Sequence, residues 1–112
     1  MLDIYTSNIR CNDPDKLDIT VKSGQRYFAP TWEMVMGVKR GTMTHEEYDK
    51  RYEAMLDQNK EYHPKPLHAL LARKRVVFVC YCPSNNVHCH RRFLAKWLVA
   101  NFPGQCEYKG EI

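Results

Sequence analysis

Thirteen consecutive residues, Cys80-Tyr81-Cys82-Pro83-Ser84-Asn85-Asn86-Val87-His88-Cys89-His90-Arg91-Arg92, carry three thiols, two imidazoles and two guanidiniums. Strand alternation puts Cys80 and Cys82 on one side of a strand, and the polar turn after them returns Cys89 to the first turn of a helix. The three sulfurs can then meet at the strand's carboxyl end. A thiol in the first turn of a helix, flanked by histidine and arginine, is where thiolate is favoured, because the positive end of the dipole and nearby cations stabilise the anion. Cys89 is therefore the candidate nucleophile or redox thiol, with Cys80 beside it and His90 or His88 as the proton-transfer partner.

Arg91 and Arg92 stand where positive charge opposes the helix dipole, at a cost of a few tenths to about 1 kcal/mol each unless an anion compensates. Their guanidiniums, with the amides of the turn at Ser84 and Asn85, form a candidate anion or phosphate pocket. Against that stands an internal ion pair, in which one of the two arginines meets a carboxylate from the first half of the chain.

The same residues support a second chemistry. Cys80, Cys82, Cys89 and either His88 or His90 make a set of three sulfurs and one imidazole suited to zinc. The single residue between Cys80 and Cys82 departs from the usual spacing of a zinc knuckle, and Cys80 also suits the role of a small buried hydrophobe. A tyrosine-phosphatase loop needs arginine six positions beyond its cysteine. Six beyond Cys82 stands His88, and six beyond Cys89 stands Ala95, so that mechanism is disfavoured. His45, His63 and His68 follow turn or cap contexts and read as surface or packing residues. Cys11 and Cys106 have no supporting neighbours and receive no role.

Particular elements must position this cluster. Arg75 is followed by Val76-Val77-Phe78-Val79-Cys80-Tyr81-Cys82, an apolar, β-branched run of the kind buried on both faces in parallel sheets. From about Cys89 the spacing turns helical, with Phe93, Leu94, Trp97, Leu98 and Phe102 on one stripe that stops at Pro103-Gly104. Upstream, Leu2 to Thr6 reads as a first strand, and Leu17 to Val21 as a second strand or the far arm of a hairpin. A short helix is expected over Pro30 to Val38, with proline at its first position and Trp32, Val35 and Met36 on one face. Thr44 and Glu47 form a capping box for the next helix, whose stripe is Tyr48, Tyr52, Met55 and Leu56. His63-Pro64-Lys65-Pro66 breaks the chain before a short helix with Leu67, Leu70 and Leu71. The segment from Cys106 to Ile112 is expected to be an edge strand.

Composition sets the limits within which these elements fold. A chain of 112 residues has room for one domain and one core. Its hydrophobic fraction of 44% and charged fraction of 27% are those of a globular protein. No apolar run approaches the roughly 20 residues of a membrane span, and no basic-then-apolar start suggests export, so a cytoplasmic location without membrane contact is expected. An odd cysteine number with three cysteines clustered argues for a thiol site in a reducing compartment, not a disulfide framework. The formal charge of +4 conceals an asymmetry: residues 1–62 carry −2 and residues 63–112 carry +6. A basic half holding the cysteine cluster points to an anionic partner, either a small nucleotide-like molecule or nucleic acid. The expected fold is a small three-layer α/β domain over residues 1–112, with a mostly parallel sheet flanked by helices and the site on the strand-loop-helix of 76–102.

An apolar strand ending in Cys80-Tyr81-Cys82 and a Cys89-His90-Arg91-Arg92 helix start resemble the YeaO-like family, domain of unknown function 488. The likeness extends more weakly through Phe28-Ala29-Pro30-Thr31-Trp32 and the helix of Glu47, Tyr48, Tyr52 and Leu56. It implies a compact α/β domain with its site at Cys80, Cys89, His90 and Arg91, but no particular reaction. Where the family commonly has glutamate two residues after the first cysteine, this chain has Cys82, which removes an acid/base group and strengthens a thiol or metal reading. Three functions follow as expectations: a cysteine-dependent enzyme acting on an anionic nucleotide or nucleic-acid-like substrate; a nucleotide or nucleic-acid binding module with a zinc site; and a phage or mobile-element protein that inhibits a partner.

Overall fold

A computed structural model describes residues 1–21, 24–81 and 90–112. The elements are β1 (Leu2–Asn8), β2 (Lys16–Asp18), α1 (Trp32–Arg40), α2 (His45–Tyr62), α3 (Lys65–Leu71), β3 (Arg75–Cys80), α4 (His90–Asn101) and β4 (Cys106–Glu111). Among the described residues the four strands form one sheet in the order β2-β3-β1-β4, and every pairing is parallel. The fold is a small α/β fold, as expected. No helix among the described residues is long and apolar enough to cross a membrane.

The apolar run of β3 lies centrally, between β1 and β2. Val76, Phe78 and Cys80 join the main core, and Val77 and Val79, which point the other way, are also fully buried. Burial on both faces explains the absence of polar alternation in this strand. α4 packs on β1, β3 and β4 and touches α2, with Leu94 and Leu98 fully buried against Leu2, Ile4 and Phe78 of the core. Side chains of this size contribute about 1.5–3 kcal/mol each on full burial, so the α4-sheet contact firmly sets where the start of α4 lies. The α2 stripe packs as expected through Tyr48, Tyr52 and Leu56, with the Thr44 side chain accepting from the Glu47 amide, while Met55 is only partly buried.

Three local expectations change. β2 spans only three residues and pairs parallel with β3, with Leu17 opposite Phe78, so it is not the arm of a hairpin with β1. The Asp18 carboxylate accepts from the Thr20 amide, and that turn takes the chain out of the strand. α1 starts after Thr31, whose hydroxyl caps the Met34 amide, so Pro30 precedes the cap and does not open the helix. Its inward face is Met34 and Gly37, and Trp32 is largely exposed. Gly37 explains this face, because a Cβ there would lie 3.1 Å from that of Met43, the buried residue packed on it.

Candidate functional site

Parallel strands deliver their carboxyl ends to one edge of a sheet, and ligands of open α/β sheets collect outside that edge. Here the edge brings together Thr6 and Ser7 of β1, Cys80 of β3 and Glu111 of β4, with the first turn of α4 beside them. Asn8 pairs with Cys80 and Thr6 with Glu111 in the register. Of the residues expected to do chemistry, Cys80, His90, Arg91 and Arg92 are gathered here. Cys82, Ser84, Asn85, His88 and Cys89 lie outside the described residues.

Arg91 is the centre of the arrangement, and its side chain is fully buried. Nε donates to Glu111 Oε1 at 3.2 Å and Nη2 to Glu111 Oε2 at 2.6 Å, while Nη1 donates to Cys80 Sγ at 3.0 Å. The carboxylate thus clamps one edge of the planar guanidinium, and the remaining nitrogen faces the sulfur. A cation at that distance favours thiolate over thiol. Arg92, less deeply buried, lies 3.7 Å from the same carboxylate through Nη2. Positive charge in the first turn of α4 therefore finds a compensating anion inside the protein. That anion comes from β4, not from the first half of the chain as expected.

His90 takes a different role from Arg91. Its ring is buried, Nε2 lies 2.8 Å from the Ile19 carbonyl oxygen, and the Tyr52 ring meets it edge-on at 5.9 Å between centroids. A carbonyl only accepts, so Nε2 carries the proton. Burial holds the imidazole below its ordinary value, opposed by the attraction of Cys80, by the bond to Ile19 and by Asp18, and reinforced by the Arg91 charge. The ring is therefore neutral, and Nδ1 carries the lone pair. A neutral imidazole with a fixed tautomer is a proton acceptor.

The sequence reading did not find Glu111, Thr6 or Tyr108. Thr6 Oγ1 donates to Glu111 Oε1 at 2.6 Å, and its contact of 2.7 Å with the Tyr108 hydroxyl is then one in which Tyr108 donates. Two signals pointed to Glu111: it is one of only two acidic residues in the basic half, and a glycine precedes it. Neither states that the last strand lies next to the first, and that adjacency brings Glu111 to α4.

A family model described as the active DUF488-N3 subclade matches residues 4–102. The chain belongs to the DUF488 family. The matched segment includes Cys80, Cys82, Cys89, His90 and Arg91, so the family likeness covers the Cys/His/Arg cluster and the elements that hold it. It stops before β4, and therefore before the carboxylate that clamps Arg91. No curated protein and no solved structure matches the chain.

His45, His63 and His68 are exposed, on or beside α2 and α3. Cys106 is buried at the start of β4, at the opposite end of that strand from Glu111, and burial pushes its thiol up. Cys11 is closer to the site than its sequence position suggested. Its amide bonds the Asn8 carbonyl, and the Ile9 amide bonds the Cys80 carbonyl, so its turn leaves β1 beside the end of β3.

Proposed function

We propose that this chain is a small cysteine-dependent enzyme acting on an anionic, nucleotide-like or nucleic-acid-like substrate at the carboxyl edge of its sheet. The observation that carries this reading is the Arg91 guanidinium donating to Cys80 Sγ at 3.0 Å beside a neutral His90. Thiolate chemistry needs a stabilised sulfur anion and a group able to accept a proton, and these residues supply both. Cys89, which precedes His90 in the chain, is the second thiol of the proposal and the one whose sequence setting favours nucleophilicity. Arg91 and Arg92, which already share the Glu111 carboxylate, form the anion-holding part of the proposal together with Ser84 and Asn85. The +6 charge of residues 63–112 supports an anionic substrate.

The test pairs thiol reactivity with ligand binding. Peptide-resolved alkylation across pH should show Cys80 or Cys89 reacting as a thiolate well below the free-thiol value of about 8.5. Calorimetry against mono- and dinucleotides and short oligonucleotides should show binding that weakens with salt, and product analysis should show turnover that Cys89→Ser or Cys80→Ser abolishes. Both thiols titrating at or above the free value would overturn the enzyme reading. One zinc per purified chain, lost in Cys82→Ser, would replace it with the zinc-binding module.

A further inference from the structure

β4 does not run in even register with β1. Ile4 lies opposite Tyr108 and Tyr5 opposite Gly110, so Lys109 is an extra residue, a β-bulge. The consequence follows from strand alternation. Leu2, Ile4 and Thr6 share the side of β1 that is fully buried, and in even register Glu111 would fall opposite Ser7, on the other face. The bulge restores Glu111 to the Thr6 side, where α4 lies. Gly110 has φ of +116°, a conformation that side-chain-bearing residues rarely adopt, and nothing lies within 4 Å of where its Cβ would be. The glycine thus serves the backbone path of the bulge and not a close approach.

We infer that Glu111 is a positioning residue, set on the helix-facing side of the sheet by the Lys109–Gly110 bulge, which fixes the Arg91 guanidinium so that Nη1 is aimed at the Cys80 sulfur. The inference rests on the proposed thiolate chemistry for its purpose, and on the hydrogen-bond geometry for its substance. Four further contacts hold the carboxylate and its strand in turn. Tyr108 donates to Thr6, and Thr6 donates to Glu111. Beyond Glu111, the Ile112 amide bonds the Thr6 carbonyl at 2.8 Å and the Ser7 hydroxyl bonds the Ile112 carbonyl at 2.9 Å, so the chain is fastened immediately after the residue. A guanidinium is planar, and clamping Nε and Nη2 leaves Nη1 one direction in which to point. Glu111 bonds Arg91 and Thr6, and its influence on the sulfur is proposed to run through Arg91.

Two nuclear magnetic resonance signals test this in the full chain: hydrogen exchange at Arg91 Nε and the Cβ chemical shift of Cys80 at mildly alkaline pH. In Glu111→Ala, exchange at Arg91 Nε should be at least about tenfold faster, as expected when a charge-assisted bond is lost. The Cys80 signal should move toward that of a neutral thiol. Glu111→Gln keeps an acceptor for Arg91 and should show both changes in reduced form. If Glu111→Ala does not fold, Thr6→Val carries the test, because it removes the hydroxyl that seats the carboxylate and should move both signals in the same direction. Faster exchange without movement of the Cys80 signal, or neither change, would overturn the positioning role. A Cys80 signal that is already a neutral thiol in the unsubstituted protein sinks the thiolate proposal at Cys80, whatever Glu111 does to Arg91.

Discussion

The two ends of the sheet each hold an arginine by carboxylate, two aspartates at one end and a single glutamate at the other, and they use it differently. At the amino end of β3, Arg75 donates to Asp13 at 2.6 Å and to Asp15 at 3.2 Å, with its guanidinium 4.7 Å from the centre of the Tyr5 ring. Its side chain is 34% exposed. At the carboxyl edge, Arg91, itself fully buried, meets a Glu111 that is 20% exposed. β1 and β2 are both parallel to β3, so the segment joining them must travel back along the sheet, and Arg75 fastens that returning segment through its two aspartates. Water screens such a pair, and its Coulomb energy is small. The difference lies in the arginine: Arg91 is fully buried, so water reaches this pair only from the Glu111 side, and the leftover guanidinium nitrogen is held against a sulfur. The same pairing of guanidinium with carboxylate makes a fastener near water at one end and an oriented charge in the core at the other.

The sharpest way to break this contrast is Arg91→Met. It takes both Arg91 donors from the Glu111 carboxylate, which keeps Thr6 and the more distant Arg92, and chemical denaturation should show a loss of about 3 kcal/mol or more. Stability equal to that of the unsubstituted protein would mean that the buried pair matters no more than a surface one. Next in size is Gly110→Ala, which forces a side chain into the left-handed backbone of the bulge and should cost about 1–3 kcal/mol. If the strain is relieved by losing the bulge, exchange at Arg91 Nε should accelerate in the same variant.

A pH ramp comes third. The folded state holds His90 below the unfolded imidazole value of about 6.5, so the unfolded chain takes up the proton first. His90 therefore contributes full stability above that value and loses it as pH falls toward the folded one. The groups facing it are Asp18, Cys80 and Arg91, with the Tyr52 ring on its edge. Melting temperature should fall with acid over that window, and His90→Gln, which can still donate to Ile19 but does not titrate, should flatten the fall. An equal slope in both proteins would remove His90 as its cause. The smallest effect is expected from Arg75→Met, a slight destabilisation at low salt that disappears at high salt. A loss as large as that of Arg91→Met, unaffected by salt, would erase the difference between the two ends.

Much of this was legible in the residues. The β3 run up to Cys80, the Thr44 cap of α2, the α4 stripe and the edge strand from Cys106 stood where local pattern put them, because each rests on periodicity or on a cap built from neighbours in sequence, whereas Tyr81, expected in the β3 run, is exposed beyond its end. The misreadings have local reasons as well. Leu17 to Val21 alternates like a strand, but the Asp18 turn ends it early, and Pro30 suits a first helical position that the Thr31 cap moves downstream. For the site, residue type and spacing identified Cys80, His90, Arg91 and Arg92 as a group. They did not identify the carboxylate partner, because its bond to Arg91 spans twenty residues and an intervening strand-order choice.

The sequence alone determined which residue types could do chemistry, that the strand before them would be buried on both faces, and that the second half of the chain would be basic. These properties are carried by composition and by contacts between near neighbours. Tertiary structure alone decided that β4 lies beside β1, that a bulge turns Glu111 toward α4, and that the Ile19 carbonyl selects the tautomer of His90. Each of these is a contact between segments that meet only when the sheet assembles, and strand order is set by packing the whole core, not by any window of the chain.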